Sequence, residues 1–336
     1  MTLVELPRID PAWADLVANA SEATAFHHPA WSRVLSDAYG FSTVALAEPG
    51  LAAGVLLARV PRLRGRAWVS LPFSDHCPPL ARDAASLQRL ADGLGDWAAR
   101  EGAAVEVRGS LPSGAWTETP IGVRYVLSLS DDLEGLRMGL SETHRRWLRQ
   151  GERAGLEVRF GRSAEDLADF YRLHVATRRR QGVPVQPRQF FDAVRRNLLS
   201  PGHGVVALVS PRGGTPVAAA VVFAWNGTAI GKYQASDPGS WNLRPNHLLY
   251  WAVIRWAREA GCARFDFGRT EARHAGLQQW KAGWGAEAIP LSYAHIGAGA
   301  ATGDRGALSA ALGHVIRRSP AIVCRSLGAL LYRYAA

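Results

Sequence analysis

The sequence predicts an α+β protein made of two successive units of similar design. The order helix, strands, helix, strand runs through roughly the first 130 residues and is met again after Gly155. In the second part, short turn signals at Pro211-Arg212-Gly213-Gly214-Thr215 and at Asn226-Gly227 join the strands into antiparallel hairpins. A chain of 336 residues has room for two cores. No residue-level repeat accompanies the repeated order. The expected division is a first domain over residues 1–140, a second over 141–300 and a basic, amphipathic helical tail over 301–336.

The elements follow from local chemistry. Asp10 ahead of Pro11 suits a helix cap with proline in the first turn. His28-Pro29 opens a second helix that carries Val34, Leu35 and Ala38 and stops at Gly40. Apolar runs at 43–46, 53–60 and 67–71 read as strands, with a hairpin turn at 62–65. A polar loop, 71–76, an amphipathic helix, 87–100, and strands at 105–108 and 125–129 complete the first unit. Residues 133–151 read as one helical stretch linking the units.

The second unit begins with a strand at 156–160. A helix at 164–180 follows, capped by Ser163 with Asp166 three residues on. Another helix, 188–199, leads into strands at 204–209, 217–225 and 228–235. Pro245 starts a helix whose Leu249, Val253, Trp256 and Ala257 share one face, and 264–268 is the next strand. A short helix rich in Gly and Trp ends at Gly285. The tail reads as two short helices broken at Pro320, with five arginines against one aspartate over 304–336. Such a tail suits an anionic membrane surface or docking on the first domain.

Composition narrows the function. Hydrophobic residues make up 48% of the chain, yet no run approaches the roughly 18 apolar residues of a membrane span. The N-terminus lacks a basic and then apolar leader, and Cys77, Cys262 and Cys324 are too scattered for a disulfide framework or zinc site. A cytoplasmic protein without a bound metal or tightly bound cofactor is expected, peripheral to the membrane at most. A net charge of +10 favours an anionic partner. The excess is central: residues 144–196 hold 13 arginines against 6 acidic residues. Arg145, Arg146, Arg149 and Arg153 recur at roughly helical spacing around Trp147. They form a stripe that suits an RNA backbone, or the solvated face of a linking helix. Lysine is scarce. The chain has only two, Lys232 and Lys281, both between Gly231 and Gly285. A lysine is a compact point charge that arginine does not replace where one developing charge must be met.

Several segments together resemble the FemAB-like (FemABX) branch of the GNAT acyltransferase superfamily. They are TRRRQGV (177–183), KYQASD (232–237), LRPNHLL (243–249), FDFGRTE (265–271) and WKAGWG (280–285), with HRRWLRQGERAGLEV (144–158) and SLPFSDH (70–76). Their order and spacing carry the resemblance, which extends to about His295. It implies two tandem GNAT-like domains and transfer of an aminoacyl group from tRNA to an amine of a cell-envelope precursor. Lys281, after Trp280, matches the family's transition-state lysine. Tyr233 and Arg180 match residues that hold acceptor phosphates. The family's lysine and asparagine on the helix after its conserved tryptophan are replaced here by Leu35 and Asp37. This departure places a nucleotide-diphosphate acceptor in question.

Aminolysis of an ester or thioester passes through a tetrahedral oxyanion, which a fixed cation stabilises. Lys281 is the candidate for that role, unless Trp280 and Trp284 are core anchors and Lys281 an ordinary surface residue. Asp266 and Glu271 are candidate proton acceptors, with Asp266 also suited to holding Arg269 or a backbone group. Lys232, Ser74 and Asp75 complete the candidate substrate contacts. Arg244 and Asn246 stand where a helix start would meet an anion. In a CoA-dependent GNAT enzyme that place holds the pyrophosphate, although Leu243-Arg244-Pro245-Asn246 is not glycine-rich. An acyl-CoA-dependent N-acyltransferase acting on cell-surface polysaccharides or metabolites is therefore the alternative. A non-catalytic, membrane-associated scaffold is a third reading.

Overall fold

The computed structural model describes residues 2–7, 10–61, 66–130, 132–297 and 313–334. Packing divides the chain into two compact units. One comprises residues 1–122, 290–305 and 333–336, the other 123–289 and 306–332.

The first unit runs β1 (Val4–Leu6), α1 (Pro11–Asn19), α2 (Pro29–Tyr39), β2 (Thr43–Ala47), β3 (Ala53–Pro61), β4 (Arg66–Val69), β5 (Leu80–Ala81), α3 (Ala84–Glu101) and β6 (Ala104–Val107). Its sheet has the order β1-β2-β3-β4-β6. Neighbours are antiparallel except β4 and β6, which run parallel because α3 carries the chain back between them. Asp10 and Asp83 accept N–H bonds from Ala12 and Ser86 and so start α1 and α3. Val55 and Leu57 of β3 are buried in one core with Leu90, Leu94 and Trp97 of α3.

The second unit takes in the later part of β7 (Thr117–Ser128). It continues with α4 (Leu133–Met138), α5 (Glu142–Arg153), β8 (Leu156–Gly161), α6 (Ala164–Gln181), α7 (Arg188–Val194) and β9 (Gly204–Pro211). Then come β10 (Ala218–Trp225), β11 (Thr228–Ser236), α8 (Pro245–Glu259), β12 (Arg264–Thr270) and α9 (Ala275–Ala282). The sheet order is β8-β9-β10-β11-β12-β7. Again one pair is parallel, β11 and β12, joined by α8. The succession β1, α1, α2, β2, β3, β4, α3, β6 is thus repeated as β8, α6, α7, β9, β10, β11, α8, β12. The fold is α+β with a tandem repeat, as the element order predicts.

The short strands β1 and β5 have no counterpart in the sequence reading, and three larger features also differ from it. Residues 133–151 are two helices, because the Ser141 side chain accepts the His144 N–H and restarts the helix as α5. The expected border at 140 and the packing border at 122 are different cuts. Tyr125, Leu127, Leu136 and Leu140 belong to the second core. A strand without a sequence expectation, β13 (Glu287–Ile296), pairs Ala294–Ile296 with β6 in the first unit. Pro290 and a half-exposed pattern hide it.

The hairpin turn expected at 62–65 and the start of the tail lie outside the described residues. Beyond them, α10 (residues 313–318) and α11 (Ala321–Leu331) flank Pro320. The described tail residues up to Tyr332 pack within the second unit. A Cβ at Gly328 would collide with the Val185 carbonyl, and Arg178 donates to the Tyr332 hydroxyl at 2.9 Å. Among the described residues no helix is long and apolar enough to cross a membrane.

Phe265 is fully buried on β12, edge-on to Phe267 at 4.9 Å. Phe265→Ala is expected to lower the unfolding free energy of the second unit by about 3–5 kcal/mol. A shift of the urea midpoint measures it.

Candidate active site in the second unit

The site starts from two backbone irregularities on adjacent strands. Lys232 is the extra residue of a bulge in β11, between the pairs Val221–Tyr233 and Val222–Gly231. In β12, Phe267 and Gly268 interrupt pairing with β7 between Asp266 and Arg269, and Gly268 takes the left-handed φ of 73°. The parallel pairing of β11 with β12 ends at Ile230–Asp266, although both strands continue. A notch therefore opens in the sheet beside the two bulges.

Two buried charges hold the second bulge. Asp266 accepts the Gly268 N–H at 2.7 Å and lies 3.5 Å from the Arg124 guanidinium. Lys281, only 4% exposed, donates to the carbonyls of Gly268 at 2.7 Å and Arg269 at 3.3 Å. It comes from α9, so the same contact ties that helix to β12. Lys281 is thus buried rather than an ordinary surface residue. Asp266 holds a backbone group and Arg124, not Arg269. Arg269 is exposed and stands 3.9 Å from Glu271, which also pairs with Arg273 at 2.8 Å.

Beyond the notch, Ser236 gathers the end of β11. Its carbonyl accepts from Arg180 at 3.3 Å, and its N–H donates to the Thr177 hydroxyl at 3.3 Å. Its own hydroxyl accepts from the Trp241 indole at 2.9 Å and from the Asn246 amide at 3.3 Å. The Arg180 guanidinium also stands 5.2 Å over the Trp241 ring. Arg180 and Asn246 are therefore brought together, through a serine that the sequence reading did not single out.

Arg244 caps α8 in the left-handed region, at φ 57° and ψ 39°, an uncommon conformation for a residue with a side chain. The surroundings compensate. Its guanidinium lies 4.6 Å over Trp147 and donates to Gln150 at 3.2 Å. Gly151 leaves room for this approach, since a Cβ there would stand 3.1 Å from the Arg244 carbonyl. Two concavities lie at the two ends of the Gln150–Arg244 hydrogen bond. A pocket of about 300 Å³ is lined by Gln234, Trp241, Arg244, Asn246, His247 and Trp280, among others. A more open cleft of about 600 Å³ is lined by Arg146, Arg149, Arg153, Gln150 and the segment Asn242-Leu243. Arg145 is not part of that cleft. It turns back to donate to the Met138 carbonyl at 2.7 Å.

The sequence reading missed a histidine pair behind the pocket. His144 of α5 and His247 of α8 lie 5.1 Å apart, ring to ring, each about 5 Å from a tryptophan: Trp284 for His144, Trp147 for His247. Gly283 makes the space, because a Cβ there would collide with the His144 ring. Burial lowers the His144 pKa, opposed by a backbone hydrogen bond at Trp280. Burial first, then the charges of His144 and Arg244, lowers that of His247 to about 3. Both rings are neutral at pH 7. The available signal was positional, a histidine beside the arginine stripe and another in the first turn after Pro245.

Other candidates are placed elsewhere. The Tyr233 ring is buried among Phe190, Phe191 and His174, with Lys232 5.8 Å over it. In the first unit, Ser74 is buried and its hydroxyl donates to the Leu71 carbonyl at 2.6 Å, closing its own loop. The Asp75 backbone carbonyl accepts from Tyr293 at 2.9 Å, and Arg108 donates to the Ser74 carbonyl at 2.7 Å. Leu71 and Phe73 are left-handed in this loop, at φ 49° and 63°.

His174, buried against Gln186, is likewise lowered to about 3, by burial above all. For both His174 and His247 the folded pKa lies below the unfolded value of about 6.5. Their contribution to stability is complete above that value and is lost as pH falls toward 3. Between about pH 5.5 and 4 the second unit should lose roughly 3 kcal/mol per pH unit from the two groups. Urea titrations across this range check the slope, and His247→Phe should reduce it by about one proton.

Residues 140–282 match the family described as "Acetyltransferase (GNAT) domain". No curated protein sequence matches the chain. Solved structures similar to it include FemX, at 15% identity over 88% of this chain and 97% of that one, with a TM-score of 0.70. Another is the C-terminal domain of a putative lysylphosphatidylglycerol synthetase from Agrobacterium fabrum, at 16% identity, 91% and 95% coverage and a TM-score of 0.57. A tandem GNAT protein from the clavulanic acid biosynthesis pathway matches at 15% identity, 89% and 99% coverage and a TM-score of 0.53. At these identities the likeness is one of fold. The duplicated topology, the notch between β11 and β12 and the matched domain together support an acyltransferase in which residues 140–282 are an acetyltransferase (GNAT) domain and the chain as a whole has a FemX-like fold.

Proposed function

We propose that the protein transfers an aminoacyl group from aminoacyl-tRNA to an amine, in the cytoplasm and on a cell-envelope precursor or a related small molecule. The observation that carries this reading is the arginine cleft of Arg146, Arg149 and Arg153, joined to the pocket through the Gln150–Arg244 hydrogen bond. A long polyanionic donor fits a basic groove that leads into an aromatic-walled pocket. In the reaction the acceptor nitrogen attacks the ester carbonyl carbon. The oxyanion collapses, the bond to the terminal ribose oxygen breaks, and that oxygen takes up the proton the amine gives away. Lys281 stabilises the oxyanion by exchanging a carbonyl acceptor for it, an exchange open to a rotatable ammonium. The tail supports a peripheral membrane contact, with Ile322 69% exposed, Leu330 66% exposed, and Arg318 and Arg325 exposed beside them.

The second reading is transfer from an acyl-CoA. The match to an acetyltransferase domain and the cationic residue at the start of α8 favour it.

Turnover with charged tRNA pools and with acetyl-CoA separates the two. The tRNA reading expects binding that weakens steeply with salt. Replacing Arg146, Arg149 and Arg153 by alanine should flatten the slope of log affinity against log salt by about 2. Absence of tRNA binding at low salt, together with turnover on acetyl-CoA, would replace the first reading by the second. Lys281→Ala should lower turnover by about 10²–10³ under either donor, with folding checked by circular dichroism. Unchanged turnover would remove the lysine from the mechanism.

A further inference from the structure

The tail carries a surface that neither the cleft nor the pocket uses. On α11, Cys324 and Gly328 are buried, as is Tyr332 just beyond, so every fourth residue forms a seam against the protein. The seam is tightly packed. The Cys324 thiol lies 3.6 Å from the Val183 carbonyl, and a Cβ on Gly328 would run into the carbonyl of Val185. Ile322, Ser326 and Leu330 each stand two places before a seam residue, which is about 200° of helical turn. They point away from the seam, and all three are exposed. Exposed aliphatic surface is concentrated here. Of the ten large apolar side chains exposed among the described residues, four lie between Val315 and Leu331.

Charge is equally one-sided. Residues 313–332 hold Arg317, Arg318 and Arg325, all exposed, and no aspartate or glutamate. Arg178 and Arg179 at the end of α6 add to them, since their charges and that of Arg325 all reach the Cys324 thiol. Arg325 stands 5.9 Å over the Tyr171 ring. Asp192 also reaches Tyr171, but it lies 4.0 Å from Arg188, which offsets it.

An aliphatic face flanked by arginines, with no acid of its own, narrows the partner. A polynucleotide would match the arginines but binds through aromatic stacking, which isoleucine and leucine do not supply. A second copy of the same face would set arginine against arginine. An anionic bilayer meets both halves, because acyl chains take the aliphatic side chains and headgroup phosphates take the guanidiniums. With 11 residues α11 is too short to cross a bilayer, so it would lie in the plane of the interface.

We infer that α11 is a preformed docking face for an anionic phospholipid surface, with Ile322 and Leu330 entering the acyl layer and Arg318 and Arg325 on headgroup phosphates. The inference deepens the peripheral membrane contact and rests on that reading alone, not on the acyl donor. Because the seam fixes α11 on the second unit, docking needs no folding step.

The test uses the full chain and vesicles of phosphatidylcholine, alone or with about one part in three phosphatidylglycerol, in about 0.15 M salt. Co-sedimentation should show binding to the anionic vesicles and none to phosphatidylcholine alone. Ile322→Ser with Leu330→Ser should weaken binding at least about tenfold. Arg318→Gln with Arg325→Gln should weaken it about thirtyfold. Melting temperatures confirm that each variant folds. The three native cysteines are buried. A polarity-sensitive dye on Ile322→Cys therefore reports on that position, and its emission should shift to the blue on anionic vesicles. Wild-type binding by the double serine variant would overturn the inference, and with a loss in the arginine variant it would make this face a polyanion site instead. An unshifted dye on bound protein, or equal binding to both vesicle types, would overturn it too. Absence of binding to either vesicle would remove the membrane contact and the inference with it. Vesicle binding that holds while no donor supports turnover would remove the proposed transfer and leave this surface standing.

Discussion

A bulge in a sheet is ordinarily paid for by lost pairing. Here buried charges hold it. Asp266 takes the N–H of Gly268 and Lys281 takes its carbonyl, so both backbone groups left over by the interruption are satisfied. Removing either side chain would strand a buried polar group as well as free the strand. The rest of the site hangs on this contact. It fixes α9 against β12, which sets Leu277 and Trp280 into the pocket and carries the chain on to Gly283 and Trp284 at His144.

A second constraint works from the other strand. Ser236 ends β11 and meets Thr177 and Arg180 of α6, Trp241 of the connecting turn and Asn246 of α8. Three separate segments are thereby held at one residue. The left-handed Arg244 lies between this cluster and the α5 helix, and its stacking on Trp147 offsets an unfavourable backbone conformation. Aminolysis of an activated acyl group asks mainly for positioning and for a cation near the oxyanion. For the proposed transfer, the frame held by Ser236 and by the Lys281 contacts would supply the positioning.

Local chemistry was legible. The proline and aspartate at the start of α1, the Ser163–Asp166 capping box, the Asn226-Gly227 turn and the apolar face of α8 all act over a few residues, and each is found where its residues place it. The two lysines both stand at the sheet irregularities. Lys232 is the bulged residue of β11 and Lys281 ties down the bulge of β12. Tyr233 shows the limit. Alternation along β11 puts it on a face, but only packing shows that face to be the Phe190–Phe191 core and not the pocket.

By itself the sequence determined most of the order of elements and the repeated design, because caps, turns and periodicity are set within a few residues of one another. Tertiary structure decided the rest. The pairing of β13 with β6, the packing of residues 123–140 with the second core, the splitting of Arg145 from its three neighbours and the meeting of His144 with His247 all join residues distant in the chain or distinguish neighbours by what they face. The energy of such contacts comes from burial and long-range pairing, and nothing in a local window records it.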